Sequence, residues 1–206
     1  MNQNQFQSAA GISAGLAARW HPHLIATFAE FGITASAQAM FIAQVGHESG
    51  GFSATIESFN YSQQALLNTF ASRLGADQIA MLGRQRNESA VPQNRQAAIA
   101  NLVYGGRLGN KAAGDGWKFR GRGLIQITGL DNYRACGAGL KLDLVSAPEL
   151  LEQDVNAMRS AGWYWMSRCC SRYADDVERV TLLINGGRNG LDDRRARYDR
   201  ATQALS

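Results

Sequence analysis

Two glutamates define the chemistry open to this chain. Glu48 lies in Gly46-His47-Glu48-Ser49-Gly50-Gly51, and Glu57 follows nine residues later. Ala37, Phe41 and Gln44 precede Glu48 at helical spacing, with Met40 and Val45 beside them, so Glu48 continues a mostly apolar helix face. Gly50 and Gly51 stop that helix and leave Glu48 in its last turn, near unpaired carbonyls and the negative end of the helix dipole. Such surroundings favour a retained proton, which a general acid needs in order to protonate a departing sugar oxygen. The competing reading is a solvated glutamate on a frayed helix end. Glycosidic bonds are commonly broken by two carboxyl groups, one protonated and one ionised, and Glu57 on the next loop supplies the second. Asp115 and Asp131, each in a glycine-bounded loop, are its rivals.

Other chemistries find less support. His47-Glu48 has the start of a zinc-protease motif, but the position four after His47 is Gly51, and the remaining histidines are His21 and His23. No metal ligand set and no cofactor are expected. The glycines at 114, 116, 121 and 123 continue into neither a dinucleotide fingerprint nor a Gly-Lys-Ser/Thr loop, and Ser49 is in no nucleophile elbow.

The elements that must hold these carboxyl groups are mostly helical. Pro22 is expected in the first turn of a helix stopped by Gly32; Thr34 or Ser36 caps the helix ending at Glu48, and Ser62 caps another through Phe70. Asp77 to Leu82 and Asn94 to Tyr104 read as helices joined by a polar stretch, a candidate lid or mobile lobe. Ten of the 22 glycines fall between Gly105 and Gly139, where helical periodicity disappears; Trp117 to Phe119 and Leu124 to Thr128 predict a small β-hairpin. From Pro148 a long helix is expected through Cys169, with Trp163-Tyr164-Trp165 filling the core, and a final helix starts at Asp192-Asp193 and carries Arg194.

The 206 residues, 45% hydrophobic, suit one catalytic domain over 1–206, with a smaller lobe around 70–95. The net charge of +4 favours an anionic partner, although basic residues scattered among acidic ones argue against nucleic acid. No 18 apolar residues run together, so no membrane insertion is expected. The three cysteines form no even framework, and the N-terminus lacks a signal-like pattern. A monomer made in the cytoplasm, and released to its substrate by another factor, is the expectation.

Several stretches together resemble glycoside hydrolase family 19, the chitinase type, and most closely its phage endolysin branch. They are Phe41 to Phe52, Glu57 to Ser62, Gly114 to Gly129, Asn132-Tyr133, Ala161 to Trp165 and Ile184 to Gly190, in consistent order across roughly residues 10 to 200. The resemblance implies an α+β, mainly α, lysozyme-like fold with a small β-element lining a substrate cleft, and hydrolysis with inversion. It implies Glu48 as general acid and Glu57 as the second carboxylate, ~6.5–9.5 Å apart to admit water. It places His47, Gln126, Thr128, Asn132, Asn185 and Arg194 with the substrate-binding residues, Arg194 as a basic residue near the carboxylates whose competing reading is a solvated helix face, and lets Tyr61 and Tyr133 either stack on sugar rings or fill the core. Phe119 stands where the family commonly has tyrosine, and the plant disulfide pattern is missing. With the basic charge, the expected substrate is the glycan strand of bacterial peptidoglycan; chitin, or a non-catalytic wall-binding role, is the alternative.

Overall fold

Capping chemistry sets several of the helix boundaries in the computed structural model, which describes residues 1–206. The helices are α1 (Gln3–Ala10), α2 (Ala14–Phe31), α3 (Ala35–Glu48), α4 (Gln63–Phe70), α5 (Ala76–Leu82), α6 (Gln93–Tyr104), α7 (Asp115–Lys118), α8 (Leu130–Leu140), α9 (Asp154–Ser167), α10 (Val177–Asn185) and α11 (Leu191–Leu205). The side chains of Asn2, Ser13, Ser62 and Asp176 accept from the first-turn amides of α1, α2, α4 and α10. Gly32 and Gly186 close α2 and α10 in the left-handed region, where glycine meets no Cβ penalty. No helix is long and apolar enough to cross a membrane.

The main core gathers α1, α2, α3, α8 and α9 around Trp20, Phe41, Trp165, Phe6 and Phe52. Phe41 meets the rings of Phe28 and Trp165 edge-on at 5.3 and 5.5 Å, a favoured arrangement for aromatic pairs. Helix α11 lies against α3 and α1 and returns the C-terminus to the helix that carries Glu48. A second, smaller apolar cluster, with Phe59, Leu66, Ile79, Val91 and Ile99 at its centre, spans more of the chain than 70–95. The polar stretch before α6 is tied onto it. Val91 is buried, its amide donates to Asn60 Oδ1 at 2.8 Å, and its carbonyl accepts from Gln96 Nε2 at 2.8 Å.

Three sequence expectations are corrected. Pro22 lies inside α2 rather than in its first turn, because Ser13 caps the helix nine residues earlier. Both Pro22 and Ala18 are exposed, so water reaches the carbonyl that Pro22 cannot bond. The predicted β-hairpin is not formed. Trp117 ends up in the short helix α7, whose Asp115 accepts from the amides of Lys111 and Ala112, and positive φ at Gly123 (75°) and Gln126 (54°) turns the chain before strands extend. Only single antiparallel bridges remain, Arg122 to Ile56 and Arg122 to Ile127. Finally, the helix expected from Pro148 to Cys169 is broken into a 3-10 turn, Pro148–Glu152, and α9, and Cys169 sits in the left-handed region with φ 54°. Mainly helical, lysozyme-like architecture is what these elements build.

Candidate active site

Helix α3 presents Glu48 from its last turn, as its apolar spacing implied, into a cavity of about 260 Å³. That volume is just under the ~300–1,000 Å³ of pockets that enclose a whole small ligand, and suits part of a longer chain. The apolar pattern did not reveal the cation beside Glu48. Arg194 Nη2 donates to Glu48 Oε1, Nη1 donates to Gln44 Oε1, and Nε donates to the Asn189 carbonyl at 3.2 Å. Arg194 is 0% exposed, which corrects the solvated-helix-face reading of that residue. Buried guanidinium groups persist only where paired, and here one helix face supplies both acceptors, Gln44 and Glu48, four residues apart. Glu48 Oε2 receives no hydrogen bond and is free to face the cavity.

His47 is held one residue away. Its Nδ1 pairs with Asp193 Oδ2 at 2.7 Å, Arg197 Nε donates to the same oxygen at 2.7 Å, and a Cβ on Gly190 would stand 2.1 Å from the imidazole. Partial burial works to raise the Asp193 carboxyl, but the hydrogen bonds from Arg197 and His47 outweigh it and hold the group below its usual range. His47 does not line the cavity; expected at the substrate, it serves instead to fasten α3 to α11 next to Glu48.

Gln126, Thr128, Asn132 and Asn185 all line the cavity with Glu48. Gln126 is one of five non-glycine residues at positive φ, a conformation a side chain of this kind rarely adopts without a constraint. Its Nε2 donates to the Gly123 carbonyl at 2.9 Å. The loop is locked further by Thr128 Oγ1 donating to the Gln126 carbonyl at 3.0 Å and Asn132 Nδ2 donating to the Thr128 carbonyl at 2.8 Å.

Glu57 is adjacent through Gln126. Its Oε1 accepts from the Tyr104 hydroxyl at 2.7 Å and its Oε2 from the Gly121 amide at 3.0 Å. A Cβ on Gly121 would come within 2.6 Å of Gln126 Oε1 and 3.1 Å of Glu57 Oε2, so glycine is what allows the three to meet. Burial raises the Glu57 carboxyl above its ordinary range, opposed by the Gly121 and Tyr104 hydrogen bonds and by the Arg120 cation. The rival carboxylates lie elsewhere: Asp115 and Asp131 line a separate depression with Arg134 and Lys111.

The tyrosines part company. Tyr133, open to sugar stacking or to the core, is fully buried, its hydroxyl donating to the Arg120 carbonyl at 2.6 Å and accepting from Arg122 Nη1 at 2.9 Å; it is a core residue. Tyr61 packs edge-on to Phe70 at 5.4 Å in the small cluster, where burial and the neighbouring Glu57 charge raise its hydroxyl pKa. It stands outside the Glu48 cavity. Tyr104 and Gly121 went unrecognised in the sequence, since their partner is 47 and 64 residues away. Trp163 and Tyr164 are half-buried: both pack against the main core, as expected, and both also line the cavity.

A family model described as "Chitinase class I" matches residues 93–177. A glycosyl hydrolase family 19 domain-containing protein of Haemophilus influenzae is 44% identical over 162 residues, 76% of this chain and 74% of that protein. The chain belongs to glycoside hydrolase family 19. A basic endochitinase of Brassica napus is 34% identical over 86 residues, but these are 39% of this chain and 32% of the endochitinase. Among solved structures, a bacterial family 19 chitinase superposes with a TM-score of 0.59 at 20% identity, covering 100% of this chain and 94% of that one. Chitinase C from Streptomyces griseus gives 0.58 at 19% identity, with 99% and 76% covered. At such identities the superpositions establish the family 19 fold. Membership makes this protein a glycoside hydrolase.

Proposed function

We propose that this hydrolase cuts β-1,4 bonds in the glycan strands of bacterial peptidoglycan by direct displacement, as a monomeric endolysin. The supporting observation is that Gln126, which lines the cavity with Glu48, also stands against Gly121 beside Glu57, which is itself outside the cavity lining. Glu48, bonded to Arg194 through Oε1, delivers a proton from Oε2 to the departing sugar oxygen. Glu57 takes a proton from water as that water attacks the anomeric carbon. The carbon–oxygen bond to the leaving sugar breaks, its electron pair stays with the leaving oxygen, and the new hydroxyl is on the opposite face. Gln126, Thr128, Asn132 and Asn185 bind acetamido and hydroxyl groups of the sugars. The net charge of +4 supports an anionic envelope as the target. In this reading the enzyme is made in the host cytoplasm and gains access to the wall through another factor.

A second reading is hydrolysis of chitin, favoured by the endochitinase names of the plant relatives. Incubation with purified peptidoglycan and with chitin oligomers, followed by product masses and early proton NMR, separates them. The proposal expects saturated reducing muropeptides released first as the α-anomer. Anhydro products, β-anomers, or cleavage confined to chitin would reject it. A sugar-bound crystal structure should also place the two carboxyl groups ~6.5–9.5 Å apart.

A further inference from the structure

One cation lines the cavity, and the buried Arg194 beside Glu48 is not part of that lining. Arg168 lines it from the C-cap of α9, is exposed, and forms no ion pair with any carboxylate, whereas Arg159 on the same helix is paired with Glu30 at 2.6 Å. Its guanidinium is nevertheless ordered by the protein. The carbon at its centre lies 5.0 Å from the centroid of the Tyr164 ring, within cation–π range. Tyr164 is itself pinned, its hydroxyl donating to the Ile184 carbonyl at 3.1 Å, and both Tyr164 and Ile184 line the cavity. Directly after Arg168, Cys169 takes the left-handed conformation and turns the chain away, so the cation is left on the cavity rim. A planar guanidinium with its donors unspent, held over an aromatic ring, can bind a carboxylate through two parallel hydrogen bonds.

Resting on the peptidoglycan reading above, we infer that Arg168 is a specificity-determining residue that binds a carboxylate carried on the lactyl arm of a muramic acid sugar. The carboxylate belongs to the free lactyl group or to an acidic peptide attached to it. A neutral poly-N-acetylglucosamine chain offers no such group. Arg168 acts on substrate choice, and the bond-breaking step is left to the two glutamates.

The test compares wild type, Arg168→Gln and Arg168→Lys on three soluble N-acetylglucosamine/N-acetylmuramic acid oligomers of equal length. One carries free lactyl carboxylates, one carries them as methylamides, and one carries lactyl-linked alanyl-glutamate. The expected result is a loss of about tenfold in the selectivity of Arg168→Gln for a charged oligomer over the methylamide, corresponding to about 1.4 kcal/mol. It should reside in KM and be partly restored in Arg168→Lys. A loss on the first oligomer assigns the lactyl group, and a loss on the third assigns the peptide. Equal selectivity in wild type and Arg168→Gln on both charged oligomers overturns the inference. Binding of the same oligomers by calorimetry separates its failure from that of the peptidoglycan reading. If wild type cuts none of them yet Arg168→Gln weakens binding of a charged one, the carboxylate site stands and the peptidoglycan activity falls. If wild type cuts them and the substitution alters neither binding nor selectivity, the reverse holds.

Discussion

Glu48 and Glu57 are held in opposite ways. Glu48 stands on a helix of the main core and is fixed by charge: a fully buried guanidinium from α11 bonds it together with Gln44. Glu57 sits on a loop beside the smaller cluster and is fixed by neutral donors, a phenol and a backbone amide, with Arg120 acting on it only from a distance. A charged partner ties a carboxyl group to the integrity of the helix packing. Neutral donors in a desolvated loop leave its protonation sensitive to pH. One fold thereby gives two chemically identical side chains different properties, which acid–base division of labour requires.

The strongest way to break this comparison is to remove each member of the Arg194–Glu48 pair in turn. Glu48→Gln keeps an acceptor for Arg194 and loses the proton, so kcat should fall by about 10²–10⁴-fold with the thermal unfolding midpoint little changed. Arg194→Met does the converse. It strands Gln44 and Glu48 without their donor, and the loss of one partner of a buried pair costs about 3–5 kcal/mol; the 20% exposure of the Glu48 side chain places this change near the lower end. Urea unfolding measures it. If Arg194→Met were as stable as wild type, Glu48 would not depend on the packing of α11, and the contrast with Glu57 would vanish.

Local chemistry made the helices legible and left the site's electrostatics hidden. Ser62, Gly32 and Gly186 act where they stand in the sequence, and the helix delivering Glu48 follows from the spacing of Phe41, Gln44 and Glu48. Pro22 misled because its helix begins at a cap that local reading passed over, and solvent covers the lost hydrogen bond. The hairpin failed for a related reason: φ angles at Gly123 and Gln126 decide whether strands extend, and nothing in the identity of Gln126 announces a positive φ. Arg194 reaches Glu48 across 146 residues and Tyr104 reaches Glu57 across 47. Gln44 was the one local clue to the former, as a polar side chain on an apolar face wants a buried partner.

Glu57 allows the comparison to be sharpened by pH, with smaller effects. Its folded-state pKa lies above the ordinary carboxylate value of 4.5, so the native protein holds the proton more tightly than the unfolded chain does. The resulting stabilisation is complete below 4.5 and is lost as pH rises through the raised value. Glu57→Gln cannot titrate, and its stability relative to wild type should therefore increase across that interval in urea melts taken at successive pH values. Activity carries the opposite sign, because a base must be ionised: turnover should decline as pH falls through the same raised value. Tyr104→Phe removes a hydrogen bond that favours the ionised form, which should move this acid limb to higher pH and lower kcat/KM about tenfold near its midpoint, a loss of about 1.4 kcal/mol. An unmoved limb in Tyr104→Phe would mean that Glu57 is not the group whose ionisation controls turnover, however clearly burial perturbs it.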